Sequence, residues 1–197
     1  MKKVYSIVVA IFLSFSLLGW LVPTYVFFPK PDPAPELRAS EETNLEPSIM
    51  QIMSPAFLNN QTIPLRYTCD GENVNPPLSV RNLPPDTVSY ALIMNDPDAP
   101  NSDWVHWLVW NIPPHITEIN GASLPPQGST EGITNFGKTG YGGPCPPTGE
   151  HRYFFKLYAL DTILKLDSSA KKSELLKAMQ GHILKKSELI GVYKREV

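Results

Sequence analysis

The chain has 197 residues, room for one ordinary domain and an appendage, and a net charge of −2. That balance excludes a global basic field for nucleic acid. Proline is abundant at 21 residues beside 12 glycines, and 42% of the chain is apolar. Proline cannot donate to a helix or sheet ladder, so this composition argues for a β-rich domain with shaped loops and against a helical bundle.

Lys2 and Lys3 precede a run from Val4 to Phe28 without a charged residue. At about 1.5 Å per residue, such a run reaches across a hydrocarbon core of roughly 30 Å. The lysines favour the cytoplasmic side and send the rest of the chain outward. Two readings stay open over residues 1–28, an uncleaved signal anchor and a cleaved signal peptide. The run exceeds a typical signal core and no A-x-A site follows it, whereas Pro23 can end the helix early. Residues 29–48 carry alternating prolines and acidic residues and read as an extended linker.

The folded unit is expected over 49–197. Ile49 to Met53 reads as a strand, Asn59-Asn60 as a turn, and Ile63 to Thr68 as a second strand. Three apolar runs follow, Val88–Asn95, Trp104–Ile112 and His151–Leu160. They are rich in β-branched and aromatic residues and read as central strands of a sandwich, covered on both faces. Ser168-Ser169 is placed to cap a helix with Leu175, Leu176 and Met179 on its apolar side, and Gly181 ends it. Ile183 to Lys186 reads as a turn, and Leu189 to Lys194 as a last strand.

Polar and special residues collect at the ends of the three apolar runs. Asp96-Pro97-Asp98 closes the first, His106 stands early in the second, and Gly140 to Gly149 leads into the third at His151. Each has an ordinary structural reading. Asp-Pro-Asp is common in turns, and a histidine among Trp104, Trp107 and Trp110 is more often a satisfied core residue. Together they are harder to dismiss, because polar groups beside apolar strands need partners, and each other is the simplest answer.

The segments D-P-D-A-P at 96–100, W-V-H-W-L-V-W-N-I-P at 104–113 and Y-G-G-P-C-P-P-T-G-E-H-R-Y-F-F at 141–155 resemble the phosphatidylethanolamine-binding protein family. With C-D-G-E-N-V-N-P-P-L at 69–78, they look like its short bacterial branch, the Raf-kinase-inhibitor-like proteins of the YbhB/YbcL type. The resemblance covers about 49–197. It implies a mainly β sandwich with Greek-key connections and a small C-terminal helical segment. It also implies a pocket for a phosphate-like anion, which falls by motif match to Asp96, Asp98, Trp104, His106, Gly143, Pro144, His151 and Tyr153.

In such a pocket the carboxylates would orient the histidines, and the backbone N–H groups of Gly142 and Gly143 would form an anion nest. The expected function is therefore binding of a phosphate- or phosphoethanolamine-type anion, with no cofactor, metal or catalytic residue. Expected partners are that small ligand, which includes phospholipid head groups, and the membrane through the N-terminal helix. Nucleic acid is not expected, and homodimerisation stays open. The expected location is extracytoplasmic. Two alternatives are kept. One is an inhibitor of a kinase or protease acting through the pocket rim. The other is an enzyme, built either on a metal held by Asp96, His106 and His151 or on a Cys145 nucleophile with His151 as base. Cys69 and Cys145 are the only cysteines, and in an exported domain they are compatible with a disulfide; two free thiols are the alternative.

Overall fold

The computed structural model describes residues 49–100 and 103–196. The expected anchor or signal segment at 1–28 and the linker at 29–48 lie outside the described residues. Among those described, no helix is long and apolar enough to cross a membrane.

The described residues form nine strands and one α-helix. In order these are β1 (Gln51–Met53), β2 (Gln61–Thr62), β3 (Leu78–Arg81), β4 (Ser89–Asp96), β5 (Trp104–Ile112), β6 (Glu118–Ile119), β7 (Thr130–Glu131), β8 (Glu150–Leu160), α1 (Lys172–Ala178) and β9 (Ile183–Lys194). Two sheets result, a three-stranded one in the order β1-β3-β6 and a six-stranded one in the order β2-β9-β8-β4-β5-β7. The antiparallel pairs β4–β5 and β8–β9 lie side by side, joined where β8 returns to pair with β4. The described part is mainly β with one small helix, and the composition implied a β-rich domain.

All eight residues of β4 are buried, and the period-2 alternation sorts them between two cores. Tyr90, Leu92 and Met94 join Ile52, Leu78, Val80 and Ile119 of the small sheet. Ala91 and Ile93 join Leu164, Leu175 and Met179 on the opposite face. The three-stranded sheet therefore packs on one side of the large sheet, while α1 and its flanking loop pack on the other. Burying each large apolar side chain stabilises the fold by roughly 1.5–3 kcal/mol, which is why a two-sided apolar strand settles at the centre.

Five expectations are corrected. Ile63–Thr68 is not a strand. Pairing stops at Thr62, and Leu65–Tyr67 forms a 3-10 turn in which Tyr67 N–H donates to the Pro64 carbonyl at 2.9 Å. Pro64 has no N–H to continue a ladder. The helix starts later than Ser168-Ser169, because Asp167 engages Ser169 in a local turn. Glu174 instead accepts the Lys171 N–H at 2.8 Å. Leu175 and Met179 are buried, but Leu176 is exposed on the solvent side. Gly181, at φ +82°, ends this segment in the left-handed region as expected.

Ile183–Lys186 belongs to β9, a 12-residue strand whose lysines occupy exposed positions. β8 is covered on both faces only towards its end, where Tyr158 and Leu160 join the helix-side core. His151, Tyr153, Phe155, Leu157 and Ala159 are buried, while Arg152, Phe154, Lys156 and Tyr158 alternate with them at exposed or half-buried positions. On that outer face Arg152 and Lys156 lie over the Phe154 ring, and Lys186 over Tyr158. Aromatic residues there serve as platforms for cations, so the apolar letters of the sequence overstate how much of the strand is covered.

Candidate functional site

The ends of β4, β5 and β8 meet at a cleft of about 390 Å³. Asp96, Trp104, His106 and His151 line it, with Ala99 and Pro100 on one rim and Phe136, Cys145 and Pro147 on the other. Antiparallel pairing produces this convergence: Asp96 sits opposite Trp104, and β8 runs beside β4 up to Phe154 opposite Asn95.

His106 owes its position to a bulge. Met94 pairs with Trp107 and Asn95 with Val105, so His106 is the extra residue between them. The bulge breaks the alternation and sends two consecutive side chains to one side. His106 lies edge-on to Tyr153, with ring centroids 5.2 Å apart, and Trp107 lies edge-on to Tyr141 at 5.6 Å. Phe136 stands edge-on to both His106, at 5.4 Å, and Trp104, at 5.6 Å.

Two hydrogen bonds set the chemistry of the histidines. His151 Nδ1 meets Asp96 Oδ2 at 2.8 Å in a buried pair. His106 Nδ1 meets the Gly142 carbonyl at 2.6 Å. A carbonyl only accepts, so His106 carries its proton on Nδ1. In both rings Nε2 is the nitrogen without a protein partner among the described residues. Burial pushes the His106 pKa down, against the opposing pull of the Gly142 carbonyl and the Asp96 charge. The second Asp96 oxygen accepts the Asp98 N–H at 2.8 Å, an Asx turn that closes the D-P-D segment. Asp96 is thus held at both oxygens.

The remaining sequence-predicted residues stand behind the cleft or beside it. Asp98 is not among the lining residues. It accepts the backbone N–H, Nε and Nη2 of Arg152 at 3.0, 2.9 and 2.7 Å. The Arg152 hydrogen bonds hold its carboxyl down at about 2. Tyr153 is fully buried beside His106, and its hydroxyl has no hydrogen-bond partner among the described residues. Burial first, then the Asp96 charge, drives its pKa far above the usual tyrosine value.

Gly143 and Pro144 form the back of the wall. Gly143 N–H donates to Asn73 Oδ1 at 2.7 Å, and the Pro144 carbonyl accepts the Cys69 N–H at 3.0 Å. Gly142 N–H donates to the His106 carbonyl at 3.0 Å. Both glycine N–H groups are therefore consumed by protein acceptors, and the expected anion nest is absent. Buried N–H groups find partners within the fold, and here Asn73 and His106 supply them. The glycines act through their missing side chains. A Cβ at Gly142 would stand 2.3 Å from the Phe136 ring, and one at Gly143 would stand 2.6 Å from the Tyr67 carbonyl oxygen.

The sulfurs of Cys69 and Cys145 are bonded to each other across 76 residues of sequence. Cys145 therefore has no free thiol, which removes the nucleophile of the cysteine-enzyme alternative. No three His, Cys, Asp or Glu side chains among the described residues are grouped to hold a metal, so Asp96, His106 and His151 do not form the alternative metal site.

Phe136, Ala99, Pro100 and Pro147 line the cleft without having been singled out in the sequence. Ala99 and Pro100 fall inside the quoted D-P-D-A-P segment. Phe136 lies five residues before the quoted segment at 141–155, and its one signal is an aromatic residue in a turn-forming N-F-G context.

The family model described as Phosphatidylethanolamine-binding protein matches residues 53–194. A UPF0098 protein of Methanothermobacter thermautotrophicus is 50% identical over 150 residues, covering 74% of this chain and 99% of that protein. A UPF0098 protein of Pyrococcus horikoshii is 46% identical over 153 residues, covering 73% and 76%. Among solved structures, a phosphatidylethanolamine-binding protein homologue of Chlamydia trachomatis, CT736, matches with a TM-score of 0.72 and 37% identity over 75% of this chain and 99% of its own. YbcL of E. coli, described as a member of the mammalian PEBP family, matches with a TM-score of 0.71 and 30% identity over the same shares.

Proposed function

The chain belongs to the phosphatidylethanolamine-binding protein family, and from that premise we propose that the cleft at Asp96, His106 and His151 binds a small phosphate-like anion, free or as a phosphoethanolamine head group. The observation that carries this reading is the pair of histidines. Each has Nδ1 committed to an acceptor, and each keeps Nε2 for a ligand.

Among the described residues no lysine or arginine lines the cleft. The neutral histidines offer Nε2 as an acceptor, which suits a ligand that brings its own proton or an ammonium group. Once protonated, Nε2 becomes a charge-assisted donor to a phosphate oxygen. The Asp96 carboxylate meets His151 Nδ1 at 2.8 Å and fixes the orientation of the ring. Binding of a dianionic phosphate is therefore coupled to proton uptake by the cleft. Trp104 and Phe136 supply an apolar cover for whatever carries the head group.

Calorimetric titration of the full-length protein with phosphoethanolamine and with inorganic phosphate, between pH 5.5 and pH 8, tests this. Affinity is expected to rise as pH falls, and His151→Ala is expected to lose most of it. Affinity that stays flat or rises with pH contradicts the reading.

The same reading places the protein outside the cytoplasm, tethered through residues 4–28 or released after cleavage. A disulfide is at home in oxidising compartments, and the lysines before the uncharged run orient such a segment outward. Protease treatment of intact spheroplasts should digest the domain; full protection would count against export.

A further inference from the structure

The cleft wall from Tyr141 to Cys145 is tied to the segment Tyr67–Asn73 by one covalent bond and three hydrogen bonds. The covalent bond is Cys69–Cys145. The hydrogen bonds run from Cys69 N–H to the Pro144 carbonyl at 3.0 Å, from Gly143 N–H to Asn73 Oδ1 at 2.7 Å, and from the Tyr141 hydroxyl to the Tyr67 carbonyl at 2.7 Å. Gly142, in the middle of this wall, holds His106 twice, through its N–H at 3.0 Å and through its carbonyl at 2.6 Å. The chain from the disulfide to the cleft histidine is therefore short: Cys145, Pro144, Gly143, Gly142, His106. Cys145 is itself exposed and lines the cleft, while Cys69 is half-buried. Exposed disulfides are the labile class.

We propose that the Cys69–Cys145 bond is a redox-controlled strut of the cleft: its reduction by a dithiol frees the Tyr141–Cys145 wall, loosens the hold on His106 and weakens anion binding. The inference rests on the reading of the cleft as an anion site. Chemically, a thiolate of the dithiol attacks Cys145 Sγ, the accessible sulfur. The Cys69–Cys145 bond breaks, and Cys69 leaves as a thiolate that takes up a proton. The second thiolate of the reductant then attacks its own sulfur in the mixed disulfide, and Cys145 departs as a thiolate and is protonated in turn. The dithiol gives up two electrons and two protons and leaves as a disulfide. The bridge closes a loop of 76 residues, so cutting it releases a long constraint on the two segments. The two hydrophobic clusters contain neither cysteine and keep the sheets together.

Amide hydrogen exchange on the full-length protein, oxidised and after treatment with dithiothreitol, judges the strut without any ligand. The amides of Cys69, Gly142 and Gly143 should exchange about tenfold faster or more after reduction, while those of Leu92 and Ile93 in β4 stay protected. Unchanged exchange at Gly142 and Gly143 would overturn the proposal. So would loss of protection in β4, because the bond would then hold the whole fold and not one wall. Calorimetry with phosphoethanolamine gives the second arm, with affinity expected to fall about fivefold or more on reduction. The Cys69→Ser/Cys145→Ser variant should reproduce that fall without reductant. Equal affinity in both forms overturns the coupling alone. No binding by the oxidised form defeats the anion reading and the coupling with it, while the exchange data still decide the strut.

Discussion

Asp96 and Asp98 stand two residues apart in one turn, and each meets a basic residue at the start of β8. Their partners, His151 and Arg152, are adjacent in sequence. Asp96 and His151 form a pair whose side chains are 5% and 8% exposed, in the wall of the cleft. Asp98 and Arg152 form a pair whose side chains are 28% and 56% exposed, outside it. Strand alternation separates the partners, because His151 faces the core and Arg152 does not. The same residue type is therefore a positioning group at one site and a surface brace at the next. Burial magnifies the first contribution and solvent screening shrinks the second.

Substitutions sharpen this contrast in descending order of effect. Asp96→Ala removes a carboxylate that accepts from His151 and from the Asp98 N–H. A buried donor and a part-buried one lose their partner, and unfolding in urea should register a loss of roughly 3–5 kcal/mol, together with loss of anion binding. A loss as small as that of Asp98→Asn would erase the distinction. Gly143→Ala drives a methyl group against the Tyr67 carbonyl and the Thr68 backbone. It should cost about 1–3 kcal/mol by the same measurement and leave the β8 pairs intact.

His106 gives the contrast a pH axis. Its pKa is lowered in the fold by burial, so the unfolded chain binds its proton more readily. Stability is then full above the ordinary histidine value and falls as pH drops through it. Thermal melts should show this slope, and His106→Gln should flatten it; a slope that survives the substitution would have another source. The smallest effect belongs to the outer pair. Asp98→Asn and Arg152→Ala should each cost less than about 1 kcal/mol near neutral pH. With the Asp98 pKa held at about 2, below its unfolded value, its contribution is present above the ordinary carboxylate range and lost as pH falls towards 2. Acid titration of Asp98→Asn against the parent isolates that portion. Anion affinity should be nearly unchanged in both variants, and a large loss would return Asp98 to the site.

The three central strands were readable because runs of apolar letters at strand length leave few other solutions. The observed β5 matches its expected bounds, β4 is shifted by one residue at both ends, and β8 starts one residue early. Motif likeness brought Asp96, Trp104, His106 and His151 to one place, and they do line one cleft. It could not separate lining residues from those behind them. Asp98, Gly143 and Pro144 fall in the same motifs, yet their partners lie in other segments, at Arg152, Asn73 and Cys69, while Tyr153 is buried behind His106. Phe136 escaped notice because its neighbours Trp104 and His106 come from another part of the chain. The Ile183–Lys186 segment was misread for a related reason. Its lysines break the apolar pattern, and only pairing with β8 makes a strand of it.

By itself the amino-acid sequence determined the β-rich class, the three central strands, the family and the residue types that gather near the cleft. These follow from local composition, hydrophobic period and ordered motifs, which need no knowledge of distant neighbours. Tertiary structure decided which histidine nitrogen is left for a ligand, which aspartate serves the cleft, and that the glycine N–H groups are already taken. It also decided that His106 reaches the cleft through a bulge. Each of these depends on hydrogen bonds and register between segments tens of residues apart, and a buried polar group takes its role from the partner that the fold brings to it.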